Sequence, residues 1–190
     1  MTDLAGTLQQ EHLTIRDSLD LVGALVDALD RGVVPPAEDL NAVLDFMDNF
    51  TDRSHRAKEE AVFSELVRTS DASVRPLIHR LEVEHARTRQ IVSALHALVP
   101  RVEGGDPRAR QDFEMYLRSY RMRTRDHIRE ETRHLMPLVE SATRSPGHER
   151  MVRELGRIEG QDSEERILRR SREAIRRLAS KYSVRVRDAA

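Results

Sequence analysis

Apolar residues recur along this chain at steps of three and four, the spacing that lines one face of an α-helix. One stripe runs Leu4, Leu8, His12, Ile15, Leu19, Val22, Val26, Leu29, and a second runs Leu40, Leu44, Met47, Thr51, His55, Glu59, Val62, Leu66. A third runs Ile78, Leu81, His85, Thr88, Val92, Leu95, and a fourth runs Phe113, Leu117, Tyr120, Thr124, His127, Glu131, Leu135, Leu138. Turn residues punctuate the stripes: Gly32 with Pro35 and Pro36, then Ser70 to Ser73, then Pro100 to Pro107 with Gly104 and Gly105, then Ser145-Pro146-Gly147. The segments between are about 26 to 38 residues each, or roughly 40–57 Å at 1.5 Å per residue. Long helices with short connections pack as antiparallel neighbours. The pattern therefore predicts an all-α protein, with an up-down-up-down four-helix bundle over residues 1–144 and a helical extension over 145–190.

Each stripe is interrupted by one histidine, and two of them by a glutamate one turn later. Residues four apart on a helix point the same way, so His55 with Glu59 and His127 with Glu131 each aim an imidazole and a carboxylate at the bundle axis. The chain also reads as an internal duplication. Glu11-His12 is followed by His55 and Glu59, and Glu84-His85 by His127 and Glu131, at nearly equal spacings. On this reading His12 faces His55, and His85 lies near the level of His127.

A lone histidine on an apolar face is most often a hydrogen-bonded core residue, and a lone buried glutamate is most often paired with arginine. The joint pattern departs from both. Four imidazoles and two carboxylates in one interior would cost several kcal/mol per group if left unpaired. Neither Arg nor Lys falls on the stripes beside them, and the phase of Lys58, the nearest, points it sideways. Cations remove that cost, which gives the bundle a di-metal site in its core. Imidazole with carboxylate suits iron, manganese or zinc, and zero cysteines leave no thiolate ligand, disulfide or cysteine nucleophile. Six ligands are too many for one tetrahedral zinc. They suit two ions, each holding two histidines, with both glutamates between them.

The order H…HxxxE…H…HxxxE resembles the hemerythrin-like, or HHE cation-binding, family. Further matching stretches are Glu11-His12-x-x-Ile15, Lys58 to Phe63, Glu84-His85, and Glu131 followed by Leu135-Met136-Pro137. The resemblance covers roughly residues 4–140. It implies metal ligands His12, His55, Glu59, His85, His127 and Glu131. It also implies two non-haem iron ions with an oxo or hydroxo bridge, and dioxygen, nitric oxide or peroxide as the small-molecule ligand. Arg89 stands where oxygen carriers place a further histidine, and Glu131 where they have aspartate, which argues against reversible oxygen carriage. Ser64 replaces a proline common in the family. A ferritin-like site would use Glu82 with His85 and Glu131 with His134, but it leaves His12, His55 and Glu59 unexplained.

The remaining features narrow the function by exclusion. A formal charge of −1 supplies no field for nucleic acid or an anionic membrane. The absence of a long apolar run or a signal-like N-terminus leads us to expect a cytoplasmic protein. His79, His96 and His148 fall off the stripes and should be solvated, as should Glu60 and Glu130, while His134 is a candidate substitute ligand and Tyr120 a core residue. In the extension, Leu168, Ser171, Ile175, Leu178 and Tyr182 share a helix face, with Asp162 and Glu165 as candidate caps. That face could dock on the bundle or pair two copies as a homodimer. The functional expectation is a cytoplasmic di-iron module that binds or senses oxygen, nitric oxide, peroxide or iron. Its competitors are an enzyme decomposing hydrogen peroxide, an iron storage or iron-centre repair protein, and a structural zinc bundle.

Overall fold

The computed structural model describes residues 4–142, 148–159 and 162–185. It is helical throughout, with no strand among the described residues. Helix α1 spans Leu4–Asp30. The second stripe becomes α2 (Ala37–Phe46), a π-helical segment (Met47–His55) and α3 (Arg56–Thr69), with no break between them. A 3₁₀ turn (Ala72–Val74) leads into α4 (Arg75–Glu103). The fourth stripe becomes α5 (Pro107–Glu130), a π-helical segment (Glu131–Leu135) and α6 (Met136–Ala142). Two further helices follow, α7 (His148–Glu159) and α8 (Asp162–Lys181).

Local chemistry accounts for the ends. Gly32 and Gly105 turn the chain in the left-handed region, with φ of 78° and 79°, where a side chain would be strained. Asp106 caps α5 by accepting from the backbone N–H groups of Arg108 and Ala109, and Pro107 occupies the first turn, where no N–H is needed. Pro100, expected in the loop, lies inside α4, which continues to Glu103. Helix α5 runs antiparallel to both α1 and α4. Arg118 pairs with Asp30 and Arg125 with Asp20 between α5 and α1. Between α4 and α5, Arg80 pairs with Glu130 and Arg123 with Glu84.

The expected simple helices differ from the observed ones at the two π segments. A π turn bonds i to i+5 and so accommodates an extra residue, a distortion common at functional sites. Its consequence is visible downstream. The fourth stripe was expected to bury Leu138, but Val139 is fully buried and Leu138 only half-buried, because the π turn rotates the following helix by one residue.

The apolar core falls into two clusters. One gathers the later half of α1 with α2, the ends of α4 and α5 that meet it, and Ile175 and Leu178 of α8. The other gathers Leu4 and Leu8 with α3, the start of α4, α6, and Met151 and Leu155 of α7. The polar residues of the four stripes lie between them. Each C-terminal helix thus closes one cluster. The expected stop at Ser145-Pro146-Gly147 and the boundary at 144/145 lie outside the described residues, as do the side chains of Asp162 and Glu165.

Helix α8 is fastened by a buried carboxylate. Asp39, at 2% exposure, accepts a hydrogen bond from Tyr182 Oη at 2.7 Å and an ion pair from Lys181. Arg172 lies over the Phe50 ring, 5.1 Å from its centre. Burial works against the charged form of Asp39, but Lys181 and Tyr182 outweigh it and hold the carboxyl below its ordinary range. A depressed pKa means stabilisation that is present above the unfolded value of about 3.9 and lost as pH falls through the folded one. Asp39→Asn should therefore cost about 1 kcal/mol at neutral pH, discounted because Lys181 is half in water. Urea unfolding at pH 7 and in acid should show the gap between the two proteins closing as pH falls. A gap independent of pH would contradict this role for the Asp39 charge.

Candidate metal centre

The residues at the waist of the molecule are placed by four different rods. His12 comes from α1, His85 from α4 and His127 from α5. His55 ends the first π segment and Glu59 follows in α3, while Glu131 opens the second π segment. Both His–Glu pairs thus straddle a junction between α and π geometry. Glu59 and Glu131 are 1% and 0% exposed, and all four imidazoles are nearly or wholly enclosed.

The six side chains expected from the sequence converge as two groups that share both carboxylates. His12, His55, Glu59 and Glu131 form one, and His85, His127, Glu59 and Glu131 the other, with the donor atoms of each group within 4.8 Å of one another. Glu59 turns Oε1 toward His55 Nε2 at 2.8 Å and His12 Nε2 at 3.6 Å, and Oε2 toward His85 Nε2 at 3.1 Å. Glu131 turns Oε2 toward His12 Nε2 at 3.1 Å and Oε1 toward His127 Nε2 at 3.2 Å. Each carboxylate therefore gives one oxygen to each histidine pair. His85 Nε2 and His127 Nε2 approach to 2.9 Å.

This donor set fits cations. Both oxygens of Glu59, both of Glu131, and His12 Nε2 are buried without a hydrogen-bond partner, which is costly unless something satisfies them. Without an ion, protons must balance the charge. Burial disfavours the His55 imidazolium, but the adjacent Glu59 charge and the hydrogen bond to Glu11 outweigh it and push its pKa up to about 10. His12 and His127 are likewise raised against burial, His12 by both glutamates and His127 chiefly by Glu131. Glu59, whose burial alone would raise it, is held well below the ordinary carboxylate range by His55 and the imidazoles around it. The interior is thus built for positive charge. Imidazole nitrogens and carboxylate oxygens without sulfur suit borderline and hard divalent metals.

One part of the site was not expected. Lys58 does not point sideways; it is buried at 2% exposure and forms an ion pair with the buried Glu11. The other oxygen of Glu11 meets His55 Nδ1 at 2.8 Å. Burial opposes the Glu11 charge, yet His55 and Lys58 together keep its carboxyl below the ordinary range. The Lys58–Glu11–His55 chain fixes the imidazole so that Nδ1 carries the proton toward Glu11 and Nε2 faces Glu59, the arrangement by which carboxylates orient metal-binding histidines. A signal was available, since Glu11 and Lys58 each stand three or four residues from two stripe positions. Those stripes are therefore wider than one row.

The remaining expectations divide. His134 is exposed and outside the cluster, which corrects its candidacy as a ligand. Glu82 is exposed too, so neither half of the ferritin-like alternative assembles. His79 is exposed, His96 pairs with Asp48 at 2.6 Å, Glu60 is exposed, and Glu130 pairs with Arg80. His148 is only half-buried. Tyr120 is buried beside Thr51 and Thr124, and burial pushes its phenol up to about 12.

A family model described as the hemerythrin HHE cation binding domain matches residues 3–139. No curated protein and no solved structure matches the chain.

The buried triad makes a separable expectation. Lys58→Met strands the Glu11 charge with His55 as its sole partner of the two, and should destabilise the metal-free chain by about 2 kcal/mol. Adding Glu11→Gln should recover much of that loss, so a double-mutant cycle by urea unfolding should show clear coupling. Strictly additive losses would show that the two side chains do not act as a pair.

Proposed function

The chain belongs to the hemerythrin HHE cation-binding family, and from that premise we propose that it is a cytoplasmic non-haem di-iron protein that binds or senses a small ligand such as oxygen, nitric oxide or peroxide. In this reading residues 4–142 form an up-down-up-down four-helix bundle, and the C-terminal helices serve it by docking. The homodimer alternative is less favoured, because Ile175 and Leu178 are already packed within the same chain.

The observation that carries the proposal is the division of each glutamate between the two histidine pairs. His12 and His55 would hold one ion, and His85 and His127 the other. Glu59 and Glu131 would span both. The two carboxylates bring −2 and two divalent ions +4, so the pair of cations leaves a net positive centre open to electron-rich ligands. Iron at such a site supplies one-electron chemistry and free coordination positions. The chain's own part is to exclude bulk water, hold four imidazoles with their Nε2 atoms inward, and fix His55 through Glu11. Arg89 supports sensing or catalysis over carriage. It provides no imidazole and instead reaches Asp52 at 3.4 Å at the edge of the site.

Metal analysis of the purified protein tests this directly. Two irons per chain are expected, and His55→Ala or Glu131→Ala should each lose at least one of them while the far-UV dichroism stays helical. One zinc per chain, or iron retained in full by both variants, would reject the proposal.

A further inference from the structure

The formal charge of −1 averages over an uneven surface. From Arg166 to Arg185 the chain holds eight basic residues and one acidic residue, Glu173, so the rest of it is net negative. Acidic residues gather in the first turn of α8, at Asp162, Glu164 and Glu165, where negative charge suits a helix start. The basic band begins one turn in, and the helix sorts it by face. Ile175 and Leu178 are buried in the cluster that α8 closes, Leu168 and Tyr182 pack against that cluster, and Arg172 turns inward over Phe50. Arg166, Arg169, Arg170, Arg176 and Arg177 are all exposed. Steps of three and four set them in one outward band. Glu173 stands between two arginine pairs that are about 10 Å apart along the axis. Arg166, Arg169, Arg170 and Arg176 enter no ion pair among the described residues, and Arg177 meets only Glu38, at 3.9 Å.

We propose that the outer face of α8 is a binding surface for duplex nucleic acid, held through its phosphate backbone without reading sequence. Guanidinium groups stay charged at physiological pH and bind phosphate oxygens in pairs. From Arg166 to Arg177 the band runs about 16 Å, and a duplex presents about one phosphate charge per 1.7 Å of its axis, so every arginine of the band can meet one. The band offers no aromatic ring on which unpaired bases could stack, which disfavours a single strand. It carries no exposed large apolar residue among the described ones. A bilayer is thus left nothing to take in, and a protein partner no apolar anchor. Negative charge over the rest of the chain turns a duplex toward this face. The surface is independent of whether the centre holds metal.

Anisotropy of a fluorescent duplex DNA of mixed sequence, titrated with the full chain, tests this. Log affinity should fall linearly with log salt, with a slope of about −4. The quadruple variant Arg169→Gln/Arg170→Gln/Arg176→Gln/Arg177→Gln should bind about tenfold or more weakly at low salt, with the slope reduced to about −1. A control of equal charge, Arg75→Gln/Arg87→Gln/Arg108→Gln/Arg129→Gln, removes four exposed arginines from outside α8 and should bind as tightly as the parent chain. Far-UV dichroism checks that both variants fold. Arg170→Gln alone should lower the slope by about one, a readout that stands even where the quadruple variant unfolds. Equal losses in the two quadruple variants, an unchanged slope in Arg170→Gln, no duplex binding at low salt, or a preference of the parent chain for phosphatidylserine vesicles over duplex would overturn the proposal.

Discussion

Two carboxylates with almost no solvent exposure, Glu59 and Glu131, are the constraint from which the rest of the molecule follows. Buried negative charge is tolerated only when something positive is held close to it in good geometry. Here the nearest groups are four imidazole Nε2 atoms, arranged so that each carboxylate faces both histidine pairs. Protons can balance that charge, and the raised pKa values of His12, His55 and His127 show the interior asking for it. Cations balance it better, because they also use the lone pairs that protons would occupy.

The surrounding architecture serves this one layer. Apolar clusters above and below it supply the burial that drives folding, at about 25 cal/mol per Å² of apolar surface. The two rods that carry His–Glu pairs give up regular α geometry at the layer itself, where π turns set the direction of His55 and Glu131. Helices α7 and α8 each close one cluster, and α8 is fixed at its end by the buried Asp39. Lys58 and Glu11 add a second, internally neutral pair that steadies His55 without adding net charge to the centre.

Much of this was legible in the sequence, because burial and helical period are local properties. His12, His55, Glu59, His85, His127 and Glu131 were each marked as polar residues on an apolar stripe, and all six meet in space. Three features were not legible to a strict 3.6-residue period. The π segments were missed, although the successive four-residue steps Met47, Thr51, His55 and Glu59 already lag behind a regular helix. Val139 was missed in favour of Leu138 for the same reason. Lys58 was assigned to the side of the helix from its phase on a regular 3.6-residue period, yet it lies on the buried face. It does so because Glu11, forty-seven positions away, shares that face too; the place of each residue beside a stripe was legible, and their pairing across the bundle was not. Helix α7 was not separated from the extension, since its apolar residues Met151, Leu155 and Ile158 make a face only once α3 lies against them.

The most direct test of the central claim is anomalous diffraction from crystals of the iron-loaded protein, recorded on both sides of the iron edge. The account predicts two anomalous peaks about 3.5–4 Å apart, one against His12 and His55 and the other against His85 and His127, with Glu59 and Glu131 reaching both. A single peak, or peaks that leave either glutamate without contact to metal, would contradict it.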